Sequence, residues 1–352
     1  MSQPTYKSVV LAERPKAAII PGETFHLKGN PIITEADLKD DQVLVETLYL
    51  SLDPAMRGWL NDARSYVPPV KIGEVMRAAS IGKVVATKSS SFSVGDYVTA
   101  MSGWTELFVA NADGKDGKSL TKLTIPANGK ATDALGVLGI TGLTAYFGLL
   151  DVGKVKEGDF VVVSGAAGAT GSMVCQIAKL KGAKVLGIAG SDDKVKWLKE
   201  LGCDDALNYK DTNFVSDFKE KTKQLIDVFF DNVGGEILEL AISRAKFHAR
   251  FVMCGAISQY NSATPSGPKN FTSVISLRLR MEGFIVFDYA AQYDQARKEL
   301  AQWLAEGKLQ RKETIISGGL EAAEHALIEL YNGINTGKLL VEVKPDEGGP
   351  RL

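Results

Sequence analysis

The chain has 352 residues, long enough for two domains, and its 45% hydrophobic and 24% charged content is ordinary for a soluble globular protein. With 41 basic against 42 acidic residues the net charge is −1, which leaves no basic excess to argue for nucleic acid or an acidic membrane surface. The 3 cysteines, Cys175, Cys203 and Cys254, are scattered without a C-x-x-C pair, which fits a reducing compartment with buried or inert thiols and implies no disulfide framework.

Residues 1–7 lack the apolar core of a secretory signal. The uncharged runs 134–150 and 160–178 are broken by glycines and by Ser or Thr, so neither reads as a membrane span. A cytoplasmic protein is expected. The terminal Pro350-Arg351-Leu352 has the form of a peroxisomal tripeptide, but proline is a poor first residue for one.

Up to about residue 130 the chain reads as β-rich, with strands expected at 8–11, 42–48, 80–87, 96–99 and 104–109, punctuated by glycine and proline. From residue 134 to 302 the pattern becomes alternating strand and helix. Apolar runs at 160–163, 184–189, 226–230, 250–254 and 281–287 are the expected strands, and such βα alternation implies a parallel sheet covered on both faces. The tail, 303–352, carries strand-like 313–316, a helix over 320–331 and strand-like 339–343, and is expected to return to the first domain.

The chemistry starts at Phe160-Val161-Val162-Val163, a buried strand that turns through Ser164-Gly165-Ala166-Ala167-Gly168-Ala169-Thr170-Gly171 into a helix. The turn spaces its glycines as G-x-x-G-x-x-G, a relaxed dinucleotide fingerprint, and its strand–turn–helix–strand context is what such a motif requires. Backbone N–H groups and the helix dipole converge there on a pyrophosphate. Gly168 allows close approach of the backbone to it, and Gly171 allows the helix to pack on the strand. Ala167, Ala169 and Thr170 complete the cradle.

An acid at the end of the second strand would bind the ribose 2′-hydroxyl of NAD. Here the strand ends in Gly190-Ser191, with Lys194 one helical turn on. Gly190 has no side chain to repel a phosphate, Ser191 can donate to one and Lys194 can neutralise it. NADP(H) is therefore the expected cofactor, with Asp192 and Asp193 the dissenting residues.

The segments Leu50-Ser51-Leu52-Asp53-Pro54-Ala55-Met56-Arg57, Ile72-Gly73-Glu74-Val75-Met76-Arg77 and Ala166 to Ser172, in this order, resemble the zinc-independent medium-chain double-bond reductases. That family includes prostaglandin reductases, related to leukotriene 12-hydroxydehydrogenase, and plant alkenal reductases, and the likeness runs through Asn335-Thr336-Gly337-Lys338. The resemblance implies an α/β protein with a Rossmann doubly wound parallel sheet at 134–302. A GroES-like β-barrel substrate domain would occupy 1–133, the segment 303–352 would return to it, and the active site would lie in the cleft. It implies NADPH with its 2′-phosphate near Ser191, Lys194 and Tyr209, and a homodimer. It further implies Asn232 beside the cofactor, Cys254 and Gly255 near the nicotinamide half, Phe284 and Val286 at its carboxamide, and Asn335 on the closing side. Ala55 stands where many relatives carry a substrate-contacting tyrosine, so Ala55, Met56 and Phe287 are the expected substrate neighbours.

No metal site is expected. A catalytic zinc needs three placed ligands and a structural one four close cysteines. His26, His248 and His325 are far apart, no cysteine precedes Cys175, and Gly73-Glu74 lacks the histidine that zinc relatives carry. Without a Lewis acid, alcohol oxidation is less accessible than conjugate reduction of an α,β-unsaturated carbonyl, where hydride reaches the β-carbon and the enolate oxygen needs a donor. Tyr260, just beyond the strand that ends at Cys254, is the candidate donor, as in relatives with the matching motif. A zinc-free quinone reductase or a non-catalytic NADPH-binding protein would share this scaffold.

Overall fold

The computed structural model describes residues 4–345, so the terminal Pro350-Arg351-Leu352 lies outside the described residues. The chain divides into two compact units, one formed by 136–312 and the other by 1–135 with 313–352.

In the first of these, β1 (Phe160–Val163), β2 (Lys184–Ala189), β3 (Asp205–Asn208), β4 (Ile226–Asp231), β5 (Ala245–Met253) and β6 (Arg280–Gly283) pair in parallel. Their order is β3-β2-β1-β4-β5-β6. Strand geometry sends alternate residues to opposite faces. Val161, Val163, Val185, Val228, Phe230 and Val252 enter one core, whereas Phe160, Val162, Leu186, Ile188, Phe229 and Phe251 enter the other. Burial on both faces is why these strands read as continuous apolar runs. Helices Ala169–Leu180, Asp192–Glu200 and Tyr293–Ala305 contribute to the first core, and Phe214–Lys221 and Gly235–Ser243 to the second. This is the doubly wound α/β arrangement.

Three details differ from the sequence reading. The strand expected at 281–287 ends at Gly283, and residues Val286–Gln292 wind into a 3-10 helix. β5 begins earlier than expected and carries a bulge, since Ile226 pairs with Ala245 but Val228 pairs with Arg250. The boundary expected at residue 302 falls inside the helix Tyr293–Ala305. The unit continues to Lys312 because Ala296, Leu300, Trp303, Leu304 and Leu309 belong to its core.

The other unit is built on Gln42–Leu52, an 11-residue strand that pairs antiparallel with Ser80–Thr87, Leu107–Asn111 and Lys338–Glu342. Lys338–Glu342 also pairs in parallel with Glu313–Ile316, so the C-terminal segment is woven into the N-terminal sheet. The hairpin Thr5–Leu11 with Phe25–Pro31 stands beside this sheet as a separate pair. Among the described residues no helix is long and apolar enough to cross a membrane.

Candidate active site

β1 delivers Ser164 and the glycine turn to the start of the helix Ala169–Leu180. Gly165 turns the chain at φ +57, a conformation that residues with a side chain rarely adopt. A Cβ on Gly171 would lie 2.3 Å from the Gly165 carbonyl oxygen and 2.8 Å from Ala166 Cα. Gly171 thus rests on the turn itself, rather than on the strand as the motif suggested. Ala167 is buried, so only its backbone can meet a ligand. No side chain caps the helix. Its first N–H groups, from Ala169, Thr170 and Gly171, are those a helix start leaves without an internal acceptor, and they suit an anion.

The end of β2 makes a second anion-suited surface. A Cβ on Gly190 would meet the Tyr209 ring at 2.9 Å, so glycine there is what lets the ring approach. Ser191 caps the helix Asp192–Glu200, its Oγ accepting the Lys194 N–H at 3.4 Å. Burial, and then the charge of Lys210, hold the Lys194 ammonium below the ordinary lysine value. Lys210 Nζ lies 5.9 Å from the Tyr209 ring centroid. Two neighbouring lysines beside Gly190 and Ser191 suit a bound anion. Asp192 is diverted from this place, since its Oδ1 accepts a hydrogen bond from Asn208 Nδ2 at 2.9 Å.

The ends of β1, β4 and β5 are laced together. Asp231 is fully buried, and its Oδ1 accepts from Ser164 Oγ at 2.7 Å, Gly234 N–H at 2.9 Å and Val233 N–H at 3.0 Å. Ser164 in turn accepts the Asn232 N–H at Oγ and the Asn232 Nδ2 at its carbonyl, both at 2.8 Å. The Asp231 carbonyl accepts the N–H groups of Cys254 and Gly255 at 2.9 and 3.0 Å. Burial raises the Asp231 carboxyl above its ordinary value. Burial, with the Asp231 charge adding to it, pushes the Cys254 thiol up to about 12, which makes it a packing group at neutral pH. Tyr260 ends the short helix Ile257–Tyr260, and its hydroxyl accepts the Ala256 N–H at 3.1 Å while lying over Gly255.

Beyond β6, Phe284 packs edge-on against Phe230 with centroids 6.5 Å apart, and Val286 is buried in the core with its carbonyl accepting from the Tyr293 hydroxyl at 2.9 Å. The Val286 side chain is core, so any cofactor contact there falls to the backbone, whereas Phe284 is half-buried against that core. Phe287 is exposed.

In the other unit, Asp53-Pro54-Ala55-Met56-Arg57 is a fastened turn. Lys338 Nζ binds Asp53 Oδ1 at 2.5 Å, the Tyr331 hydroxyl donates to the Pro54 carbonyl at 3.1 Å, and the buried Arg57 donates to the carbonyls of Pro15 and Ala17. Met56 is fully buried in a core that includes Leu52, Leu60 and Trp104. This corrects its reading as a substrate contact, because the first residue of the helix Met56–Trp59 turns inward while Ala55 before it stays half-exposed. Asn335 is buried, and its Nδ2 donates to the Gly337 carbonyl at 2.8 Å, holding the turn into Lys338–Glu342.

Sequence reading passed over Lys210, Ser164 and Asp231. The available signals were a second lysine directly after Tyr209 and a hydroxyl and a carboxyl at the matching ends of two buried strands. His26, His248 and His325 are exposed on separate elements. Among the described residues no three His, Cys, Asp or Glu side chains gather where they could hold a metal ion.

Residues 7–120 match a family model described as the N-terminal domain of oxidoreductase, and residues 169–306 match one described as zinc-binding dehydrogenase. The chain is 43% identical over 310 residues to prostaglandin reductase 1 of Bos taurus, covering 87% of this chain and 90% of that protein. It is 38% identical over 346 residues to the NADPH-dependent curcumin reductase of Escherichia coli (strain K12), covering 96% and 97%. The crystal structure of CurA from Vibrio vulnificus in complex with NADPH is similar with a TM-score of 0.87 at 38% identity, over 97% of this chain and 100% of that one. With its Rossmann sheet, relaxed fingerprint and these full-length relatives, the chain belongs to the zinc-independent medium-chain dehydrogenase/reductase family, in the group of the alkenal and prostaglandin double-bond reductases.

Proposed function

We propose that this chain reduces the carbon–carbon double bond of α,β-unsaturated aldehydes or ketones with NADPH. The observation that carries the reading is the convergence, at the carboxyl ends of one parallel sheet, of an uncapped fingerprint helix, a paired-lysine anion site and a tyrosine hydroxyl. Ligands bind at such strand ends. The prostaglandin and curcumin reductases and the NADPH complex of CurA support the same cofactor and substrate class.

The residues fit the cofactor. The first-turn N–H groups of Ala169, Thr170 and Gly171 would hold its diphosphate, with Gly168 keeping the approach open. Ser191, Lys194, Tyr209 and Lys210 would hold the 2′-phosphate over Gly190. Asn232, Gly255, the Cys254 backbone and the backbone at Phe284 and Val286 would line the nicotinamide half. When bound, NADPH supplies a hydride to the substrate β-carbon.

Tyr260 acts on the substrate oxygen. As the double bond accepts the hydride, negative charge collects on the former carbonyl oxygen, and the Tyr260 O–H donates to it. The Ala256 N–H bonded to the phenol oxygen fixes the ring and polarises the O–H. Protonation of the α-carbon then gives the saturated carbonyl compound. Phe287, exposed beyond β6, borders the substrate in this reading.

Purified protein is mixed with NADPH and a trans-2-alkenal, cofactor loss is followed at 340 nm (roughly the absorption maximum of a reduced nicotinamide), and the product is identified by mass spectrometry. A saturated aldehyde upholds the proposal. An allylic alcohol, or consumption of quinones without alkenals, rejects it.

A cytoplasmic homodimer paired through β6 is part of the proposal. Among the described residues β6 pairs on one side only, and the exposed Phe271 and Ile275 precede it. Light scattering behind a sizing column would give twice the chain mass, and a monomer at micromolar concentration would contradict it.

A further inference from the structure

Strand order in the parallel sheet reverses between β1 and β4, and ligands in such sheets bind in the crevice outside that switch point. Ser164 and Asp231 end those two strands, and their hydrogen bond crosses the switch point. We infer that Asp231, acting with Ser164, is the positioning residue that sets the nicotinamide-side wall of the site. The inference rests on the reductase reading.

The bonds of this pair reach that wall. The Asp231 side chain takes the Val233 and Gly234 N–H groups, its carbonyl takes those of Cys254 and Gly255, and Ser164 takes both N–H donors of Asn232. The Asn232 carbonyl then accepts the Ile257 N–H at 3.2 Å, at the head of the short helix that carries Tyr260. Through Ser164 the carboxylate thus holds Asn232 and, one bond further, the segment bearing the phenol, while the backbone carbonyl of the same residue holds Gly255. Gly234 and Gly235, at φ +72 and +58, let the chain fold back so that two successive N–H groups reach one oxygen. Three donors converging on Oδ1 call for a group that only accepts, which a carboxylate is. Asp231 Oδ2 is buried and, among the described residues, has no hydrogen-bond partner. A scaffold position would discard such an oxygen, because an unmatched buried polar atom costs stability.

The test uses the full chain with two independent variants, Ser164→Ala and Asp231→Asn, assayed with NADPH and a trans-2-alkenal. Positioning predicts that kcat falls about tenfold or more, since small misplacements of reacting groups are costly, while the Kd for NADPH stays within about threefold. The deuterium isotope effect on kcat with 4-deuterated NADPH rises, because hydride transfer becomes the slow step. Wild-type kcat and isotope effect in both variants would overturn the inference, and so would a loss confined to melting temperature or to cofactor affinity. Should the wild-type protein leave the alkenal untouched, the reductase reading fails on its own. The inference is then judged by the fluorescence of bound NADPH, where a shifted emission in both variants upholds it and an unshifted one overturns it.

Discussion

Replacing Lys194 by alanine tests how the chain chooses NADPH over NADH. Lys194 is half-buried, and burial and the Lys210 charge disfavour its ammonium, so a phosphate bound beside it would favour the charged form. A hydrogen bond to a charged group contributes about 1.5–3 kcal/mol. At about 1.4 kcal/mol per tenfold, Lys194→Ala should raise the Kd for NADPH roughly 10- to 100-fold. Lys210 is exposed and screened, so Lys210→Ala should cost less than about fivefold. NADH lacks the phosphate and should bind both variants within about twofold of wild type. Fluorescence titration of each variant with each cofactor measures all of these. The pH dependence has a definite sign. The advantage of NADPH over NADH is full at neutral pH and declines as the pH rises through a Lys194 value lying below 10.5. Equal losses for NADPH and NADH, or none for NADPH, would refute the phosphate role.

Tyr260→Phe should lower kcat about tenfold or more with alkenal substrates, since one donor to an enolate contributes on the order of 1–3 kcal/mol; unchanged kcat removes Tyr260 from the mechanism. Gly171→Ala forces a Cβ to within 2.3 Å of the Gly165 carbonyl oxygen and should lower the melting temperature by several degrees while weakening both cofactors. An unchanged melting curve would mean the turn can yield. Asp231 has a carboxyl raised above 3.8, so the native state holds a proton that the unfolded chain has released. Its stabilising contribution is present below 3.8 and is lost as the pH rises through the folded value. The melting temperature of Asp231→Asn relative to wild type should therefore climb across that window, and a flat difference would contradict the burial argument.

The parallel sheet was readable because burial on both faces leaves continuous apolar runs, as in Phe160-Val161-Val162-Val163, and because glycine marks the turn that follows. Strands with a wet face were harder. Phe25–Pro31 is exposed along His26, Leu27, Lys28 and Gly29, and it offers no alternation to detect. The bulge in β5 was hidden for a different reason. It depends on pairing register between distant segments, and His248 at φ +63 has no local signature. At the candidate site, residue type and spacing pointed to the glycine turn and to the end of β2. They could not show direction. Met56 turns into the core, Asp192 turns toward Asn208, Val286 is buried and Phe284 packs edge-on against Phe230. Each of these is decided by the packing of a neighbour far away in sequence. Asp231 went unnoticed because its importance lies in five hydrogen bonds drawn from three strand ends, which no single stretch of sequence displays.

Tracing the hydride tests the central claim most directly. The purified protein is supplied with NADPH deuterated at C4, on each face in turn, together with a trans-2-alkenal, and the product is examined by NMR. Deuterium at the β-carbon of a saturated aldehyde, from one face only, is the predicted result. Deuterium at the former carbonyl carbon of an allylic alcohol would contradict double-bond reduction and the role assigned to Tyr260.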